Sequence, residues 1–224
     1  MALDNIDLTL WLAGILMEAS LLVLVVWKRI YRSLPVFACF LVWCLLSDIG
    51  MAVAVRFPNA YLSATLVNIT VDALLQLGIL AELGRVVMRH NRVTPPSRVV
   101  VILLTVLAFV LAGSLNKWTI PTQFPILDML YLVLMQLLAV LRVVFLLTLV
   151  WWSSLQGLRW PTRELRIVTG LGFYIIATLS VAILHSHNMG GMEYHWLDQL
   201  LVGAYLWTLS YWILATTTKV VEQQ

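Results

Sequence analysis

Residues 8–55 read LTLWLAGILMEASLLVLVVWKRIYRSLPVFACFLVWCLLSDIGMAVAV, and this stretch decides the fold class. Two long apolar runs flank the basic segment KRIYRSLP at positions 28–35. A helix needs roughly 20 mostly apolar residues to cross the hydrocarbon core of a bilayer. The stretch therefore predicts two membrane-spanning helices that are joined by a short basic turn.

The same pattern repeats along the remaining chain and predicts an all-α polytopic membrane protein, a bundle of seven transmembrane helices. The prolines lie at the edges of the apolar segments or between them, where helices begin or end, and none interrupts a span. Because the spans fill residues 1–224, we expect a single seven-helix transmembrane domain. The predicted spans are residues 8–27, 35–55, 61–86, 99–115, 126–152, 167–184 and 197–216.

Composition favours a membrane protein over a soluble one. Of the 224 residues, 62% are hydrophobic and 11% are charged, whereas about a quarter of the residues in a soluble domain are charged. The formal net charge of +3 comes from basic residues in a few connections, so it predicts topology and no nucleic-acid partner. The first apolar run has full spanning length and lacks a basic segment before it, so we expect no cleaved signal peptide. The predicted partner is the lipid bilayer.

Basic residues alternate between the connections and set the predicted orientation. The first, third and fifth connections, KRIYRSLP, RVVMRHNRVTPPSR and LRWPTRELR, each carry at least three Lys or Arg residues. The opposite side carries only Arg56 and Lys117. Because cytoplasmic loops are enriched in Lys and Arg, the N-terminus is predicted to lie outside and the C-terminus in the cytoplasm.

Four ionisable residues lie near the middle of predicted spans, and they are Glu18, Asp48, Asp72 and Arg142. On insertion scales a charge at the bilayer centre costs roughly 2.5–3.5 kcal/mol, so each residue is expected to face the bundle interior and find a partner. Arg142 is expected to pair with one carboxylate. The other carboxylates must be protonated, hydrogen-bonded or neutralised by a cation.

Polar residues at helical spacing extend this set into a predicted buried polar core. In the third span, Asn68, Asp72 and Gln76 belong to one stripe of a helix. Two interpretations stay open, since the core is either a proton relay or ligand site, or a structural network that fixes the helix register. The predicted ligand- or ion-binding residues are Glu18, Asp48, Asn68, Asp72, Gln76, Arg142, Tyr174 and Tyr205.

The connection before the last span, HSHNMGGMEYH at positions 185–195, holds three of the four histidines. Its spacing matches no metal-binding motif, and the Gly-Gly pair beside aromatic residues favours a turn at the membrane boundary. A metal site for zinc or copper and an interfacial turn both stay open. The candidate metal ligands are His185, His187, Glu193 and His195.

No other cofactor and no catalytic residue is predicted. A retinal Schiff base is excluded, because it needs a lysine in the middle of the last span, and Lys28, Lys117 and Lys219 all lie elsewhere. The motifs G-x-S-x-G, C-x-x-C and H-E-x-x-H do not occur, which favours a protein that is not an enzyme.

Glu82, Arg85 and Arg89 share one face at the end of the third span. Their spacing predicts an ion pair between Glu82 and Arg85. Two roles are compatible with that pair, since it either exchanges partners as a switch or anchors the helix end at the membrane surface.

Two segments in the first half of the chain, RIYRSLPVF at 29–37 and ELGRVV at 82–87, resemble segments of a known class of proteins. In these segments the chain resembles small seven-helix integral membrane proteins of bacteria. The resemblance implies a seven-helix bundle in a bacterial inner membrane, and it implies no activity. The matching residues are Arg29, Arg32, Pro35, Phe37, Glu82 and Arg85.

Several functions fit these patterns, and all of them place the chain as a multi-pass protein of the cell inner (plasma) membrane. The leading hypothesis is a sensor or receptor-like module that binds a small apolar or amphipathic ligand within the bundle and signals through a partner protein. The alternative is a proton- or cation-coupled transporter that uses the buried carboxylates. A further alternative is an accessory subunit of a membrane complex.

Overall fold

The described part of the chain consists of helices and short turns. The computed structural model describes residues 5–91, 106, 110, 126–158, 160–187 and 194–217. A short 3-10 turn, Ile30–Arg32, lies between the first two long helices. The six long helices are α1 (Asn5–Trp27), α2 (Pro35–Ala54), α3 (Pro58–Asn91), α4 (Ile126–Leu155), α5 (Thr162–His187) and α6 (Tyr194–Thr217).

All six helices are long and apolar enough to cross a membrane, and they indicate a multi-pass membrane protein. Large hydrophobic side chains such as Leu16, Val23 and Leu46 are exposed on their outer faces, where lipid tails would contact them. The predicted fourth span, 99–115, lies outside the described residues except for Val106 and Val110, which are helical. Helices α4, α5 and α6 therefore correspond to the predicted fifth, sixth and seventh spans.

The helices extend beyond the predicted spans, because a helix does not end where the hydrocarbon ends. With 34 residues, α3 is about 50 Å long, whereas the hydrocarbon core of a bilayer is about 30 Å thick. Helix α5 continues through His187 and α6 begins at Tyr194. The predicted connection at 185–195 is therefore too long at both ends, where the backbone is helical, and its Gly190-Gly191 turn lies outside the described residues.

Prolines begin helices, as the sequence predicts. Pro35 is the first residue of α2 and Pro58 is the first residue of α3. Pro161 immediately precedes α5, and its carbonyl accepts a hydrogen bond from the Leu165 amide at 3.0 Å. Proline suits these positions because the first residues of a helix have no intrahelical acceptor for an amide hydrogen.

The six helices pack in the order of the chain and close into a ring. Each helix packs against the next one in sequence, α6 packs against α1, and α3 also contacts α5. Short connections join α1 to α2, α2 to α3, α4 to α5 and α5 to α6, and a short connection leaves consecutive helices antiparallel and adjacent. The interior of the ring is therefore shared by all six helices.

The turn between α1 and α2 and the first residues of α2 are joined to three other helices by polar contacts. The Lys28 ammonium donates a hydrogen bond to the carbonyl of Thr216 near the end of α6. Arg163 of α5 donates to the Ser33 hydroxyl at 3.2 Å. Glu82 of α3 accepts hydrogen bonds from the amides of Val36 and Phe37, at 3.1 and 3.2 Å.

The contacts of Glu82 correct one prediction. Its carboxylate stabilises the amino-terminal end of α2, where backbone amides lack intrahelical partners. The ion pairs among the described residues do not include Glu82 with Arg85. The predicted pair is replaced by a contact between helices, because the exposed amides of α2 lie closer to the carboxylate than the guanidinium does.

Trp212 is the largest fully buried side chain and joins α6 to α5 and α2. Its indole nitrogen donates a hydrogen bond to the Ile167 carbonyl at 3.2 Å. The Phe37 ring meets it edge-on, with the ring centroids 5.1 Å apart. A Cβ atom at Gly170 would overlap the indole nitrogen, so this close approach of two helices requires glycine.

We expect Gly170→Ala to lower the stability of the detergent-purified protein by about 1–3 kcal/mol, because the added methyl group displaces the Trp212 ring. Gly50→Ala is the matched control, since no heavy atom lies within 4 Å of its added Cβ. Chemical unfolding followed by tryptophan fluorescence measures both variants. Equal stability of the two variants would contradict the described packing of α5 on α6.

Candidate functional site

Polar side chains from all six described helices meet inside the ring, and together they form what we call the polar core. Two groups make up this core, one around Arg142 and one around Glu18, and two tyrosines lie between them. The polar core consists of Glu18, Cys44, Asp48, Asp72, Gln76, Arg142, Tyr174 and Tyr205.

The Arg142 group joins α3 to α4. Asp72 and Gln76 lie four residues apart on α3 and therefore on one face of that helix. The Gln76 amide nitrogen donates to the Asp72 carboxylate at 2.8 Å, and its amide oxygen accepts from the Arg142 guanidinium at 2.8 Å. The shortest distance between the Asp72 carboxylate and the guanidinium is 3.7 Å. Gln76 thus connects the two charges by hydrogen bonds.

The Arg142 group balances its own charge. One guanidinium faces one carboxylate, and the Arg142 Nε also donates to the Leu138 carbonyl at 3.2 Å. Gln76 is fully buried and Arg142 is 5% exposed. A buried ion pair whose donors are satisfied is compatible with hydrocarbon surroundings, whereas either charge alone would be strongly unfavourable.

The Glu18 group has no such balance. Glu18 is 1% exposed, and its Oε1 accepts a hydrogen bond from the Tyr205 hydroxyl at 2.5 Å. Its Oε2 is buried and has no hydrogen-bond partner in the described part of the protein. The Tyr205 hydroxyl also lies beside the Cys44 thiol of α2. No ion pair among the described residues includes Glu18.

Tyr174 and Tyr205 connect the two groups. Their ring centroids are 5.3 Å apart and their planes are tilted by 53°. Tyr174 of α5 lies close enough to Asp72 and Arg142 to interact with them electrostatically. Tyr205 of α6 reaches Glu18 on the other side. The aromatic pair thus fills the space between the charged pair and the isolated carboxyl group.

Asp48 is level with Asp72 in the bundle. The contacts of Glu82 with α2 fix the antiparallel register of α2 and α3. Asp48 follows Phe37 by eleven residues along α2. Val71, the neighbour of Asp72, precedes Glu82 by eleven residues along α3. Glu18 of α1 interacts electrostatically with both Asp48 and Asp72, so the three carboxyl groups belong to one region of the bundle interior.

No described hydrogen bond or ion pair joins Asn68 to the other predicted core residues. It lies one helical turn before Asp72 on α3, and its amide oxygen is buried without a hydrogen-bond partner among the described residues. The indole nitrogen of Trp43 on α2 is likewise buried without a hydrogen-bond partner among the described residues. A donor and an acceptor thus stay unpaired inside the bundle, where such groups are unfavourable without a partner.

The sequence prediction omitted Cys44, which belongs to the Glu18 group. Its position carried a usable signal, since Cys44 and Asp48 lie four residues apart and share one face of α2. Cysteine behaves as a small apolar residue in most cores, so composition alone gives no reason to select it.

The predicted metal site lies outside the side chains that the structure describes. Within residues 5–91, 126–158, 160–187 and 194–217, no group of three or more His, Cys, Asp or Glu side chains is placed to hold a metal ion. The side chains of His185, His187 and His195, and all of Glu193, lie outside the described residues. Zinc or copper binding at these residues therefore stays a prediction.

Comparison with known proteins gives this chain no family. It matches no protein-family model, no curated protein and no solved structure. Any function must therefore be argued from the residues of the polar core.

We expect Arg142→Met to destabilise the protein by roughly 3–5 kcal/mol, because it leaves Asp72 buried without its counter-charge. The double variant Arg142→Met/Asp72→Asn is expected to recover part of that loss. Chemical unfolding in detergent measures both, and Arg56→Met at an exposed position is the control. Losses that simply add in the double variant would contradict a coupled pair.

Proposed function

We propose that this chain is a proton-coupled transport protein of a membrane, in which Glu18 takes up and releases the coupling proton. The observation that carries the proposal is the isolated state of this carboxyl group. It is buried in the ring, it accepts one hydrogen bond from Tyr205, and its other oxygen has no described partner.

The physical reason lies in the cost of an unbalanced charge. A carboxylate in hydrocarbon without a cation beside it is strongly unfavourable, and a bound proton removes the charge. Asp72 does not need this proton, since Arg142 lies 3.7 Å from it. Glu18 and Asp48 form no ion pair among the described residues, and we assign the coupling proton to Glu18 because it is the more deeply buried of the two.

The surroundings of Glu18 support proton exchange. The Tyr205 hydroxyl lies 2.5 Å from the carboxyl oxygen, which is a distance over which a proton passes between two oxygen atoms. Asp48 and Asp72 lie near the same depth and supply further acceptor oxygens. Loss of the Glu18 proton changes the net charge of the core by one unit, which favours a rearrangement of the helices around it.

The charge pattern supports a specific topology for this transporter. Lys28, Arg85 and Arg163 all lie at the end of the bundle that holds the turn between α1 and α2. Because cytoplasmic ends of membrane proteins are enriched in Lys and Arg, this end is assigned to the cytoplasm. In this proposal residues 99–115 form a further span, the fourth in chain order, which brings the total to seven. The N-terminus is external, and the protein lies in a bacterial inner membrane.

Reconstitution into proteoliposomes with a trapped pH-sensitive dye tests the proposal. Small metabolites from a library are added one at a time while a pH gradient is imposed across the liposome membrane. For a metabolite that the protein transports, the gradient is expected to collapse faster in liposomes with the protein than in liposomes without it. We expect Glu18→Gln to abolish this proton flux, because the amide binds no exchangeable acid proton. Glu164→Gln is the matched control, since Glu164 lies at the start of α5 and pairs with Arg163 outside the core.

Tyr205→Phe separates the role of the hydroxyl from that of the ring. We expect it to reduce the proton flux by about tenfold while protein stability falls by about 1 kcal/mol, since it removes one hydrogen bond and retains the Tyr174 contact. Full flux in Glu18→Gln would contradict the proposal whatever the outcome for Tyr205→Phe.

A ligand-binding sensor is the second candidate, and the unpaired groups of Trp43 and Asn68 favour it. An amphipathic ligand that reaches either site would satisfy the unpaired group there, since the indole nitrogen needs an acceptor and the amide oxygen needs a donor. Native mass spectrometry of the protein in mild detergent is expected to show such a bound molecule, and Asn68→Leu is expected to lose it. A ligand-free spectrum would instead leave the accessory-subunit alternative.

A further inference from the structure

One end of the bundle carries a strong excess of positive charge. We call it the basic end, and it comprises the end of α1, the turn to α2, the end of α3 and the start of α5. Its described acidic residues are Glu82 and Glu164. Its described basic residues are Lys28, Arg29, Arg32, Arg85, Arg89, Arg163 and Arg166.

Both carboxylates of the basic end are already occupied. Glu82 accepts hydrogen bonds from two backbone amides of α2. Glu164 pairs with Arg163 at 2.8 Å. No ion pair among the described residues involves Arg29, Arg32 or Arg85, whose side chains are exposed. These three guanidinium groups therefore lack an anionic partner within the described part of the chain.

The turn that holds Arg29 and Arg32 is firmly built. Ile30 is 3% exposed and Leu34 is fully buried, so the turn is anchored in the core on one side. The Arg32 amide donates to the Arg29 carbonyl at 3.1 Å. Arg29 adopts a left-handed backbone conformation with φ of 55°, which is uncommon for a residue other than glycine. Both arginine side chains leave this fixed backbone on its exposed side.

Arg85 is carried to the same place by α3. It follows Glu82 by one helical turn, and Glu82 contacts the first residues of α2 directly after the turn. Two of the three guanidinium groups thus come from the α1–α2 turn and the third from the adjacent end of α3. A guanidinium group binds two phosphate oxygens through paired hydrogen bonds. Arginine is therefore better suited to phosphate recognition than lysine.

Exposed aromatic residues at the basic end indicate that the phosphate it binds belongs to a lipid headgroup. Trp27 at the end of α1 is 79% exposed, and Trp151 near the end of α4 is 63% exposed. Tyr31 lies under the Arg32 guanidinium, which is 6.0 Å from its ring centroid. Exposed tryptophan and tyrosine at helix ends are typical of the headgroup level of a bilayer. The three arginines therefore lie at the depth of lipid phosphates.

We propose that Arg29, Arg32 and Arg85 form a binding site for the headgroup of an anionic phospholipid. The lipid phosphate binds between the α1–α2 turn and the end of α3, and its acyl chains follow the outer faces of these helices. One lipid then bridges two segments that Glu82 already joins inside the bundle. This site is separate from the polar core, and it does not depend on proton transfer by Glu18.

The test compares phosphatidylglycerol with phosphatidylcholine, each added to delipidated protein in mild detergent. Native mass spectrometry measures bound lipid and a thermal scan measures Tm. We expect phosphatidylglycerol to bind and to raise Tm, with phosphatidylcholine much weaker. In Arg29→Gln/Arg32→Gln/Arg85→Gln the Kd for phosphatidylglycerol is expected to rise roughly a hundredfold, since each basic side chain near an anionic headgroup contributes about fivefold.

Arg56→Gln is the matched control, because Arg56 is an exposed arginine beyond the other end of α2. It is expected to retain the affinity of the unmodified protein. The triple lysine variant at the three arginine positions keeps the charge and loses the paired hydrogen bonds, so an intermediate Kd is expected. These exposed substitutions leave the core intact, and an unchanged Tm without lipid verifies folding.

Three results would overturn the proposal. Unchanged phosphatidylglycerol affinity in the triple glutamine variant would show that the arginines bind no lipid and would favour an acidic protein partner instead. An equal rise of Tm with inorganic phosphate would identify a site for free anions. Equal binding of phosphatidylcholine would show that the lipid charge is not recognised.

Discussion

Hydrocarbon offers a charged group neither water nor mobile counter-ions, and this constraint governs the interior of the protein. Arg142 meets it by lying against Gln76 and Asp72. Glu18 meets it differently, since its described partner is the Tyr205 hydroxyl and no ion pair among the described residues includes it. The polar core therefore contains one acid, Asp72, that a guanidinium neutralises, and two acids, Glu18 and Asp48, that form no ion pair among the described residues. A bound proton would remove the charge of the buried Glu18.

Much of the fold was predictable because hydrophobicity has a simple meaning in a bilayer. Six predicted spans coincide with six described helices, and Pro35 and Pro58 begin helices as expected. The helix ends were predicted less well, since α3 continues to Asn91 beyond the apolar run. Hydropathy detects the part of a helix that lies in hydrocarbon, and the polar turns beyond it give no such signal.

The polar core was predictable as a set of residues and not as a set of contacts. A buried charge near mid-span must face other helices, which selects Glu18, Asp72 and Arg142 from the sequence alone. Which carboxylate receives the guanidinium depends on the order of packing, in which α3 lies beside α4 and α1 lies beside α6. The bond from Glu82 to α2 escaped prediction for the same reason, because its partners are backbone amides of another helix.

The protonation state of Glu18 is the most direct test of this account, and infrared spectroscopy of the protein in lipid measures it. The spectrum of the unmodified protein minus that of Glu18→Gln is predicted to contain the carbonyl stretching band of a protonated carboxylic acid at neutral pH. This band is expected to convert to carboxylate bands as the pH rises. A difference spectrum with carboxylate bands alone at neutral pH would show that Glu18 is ionised, and it would contradict the account.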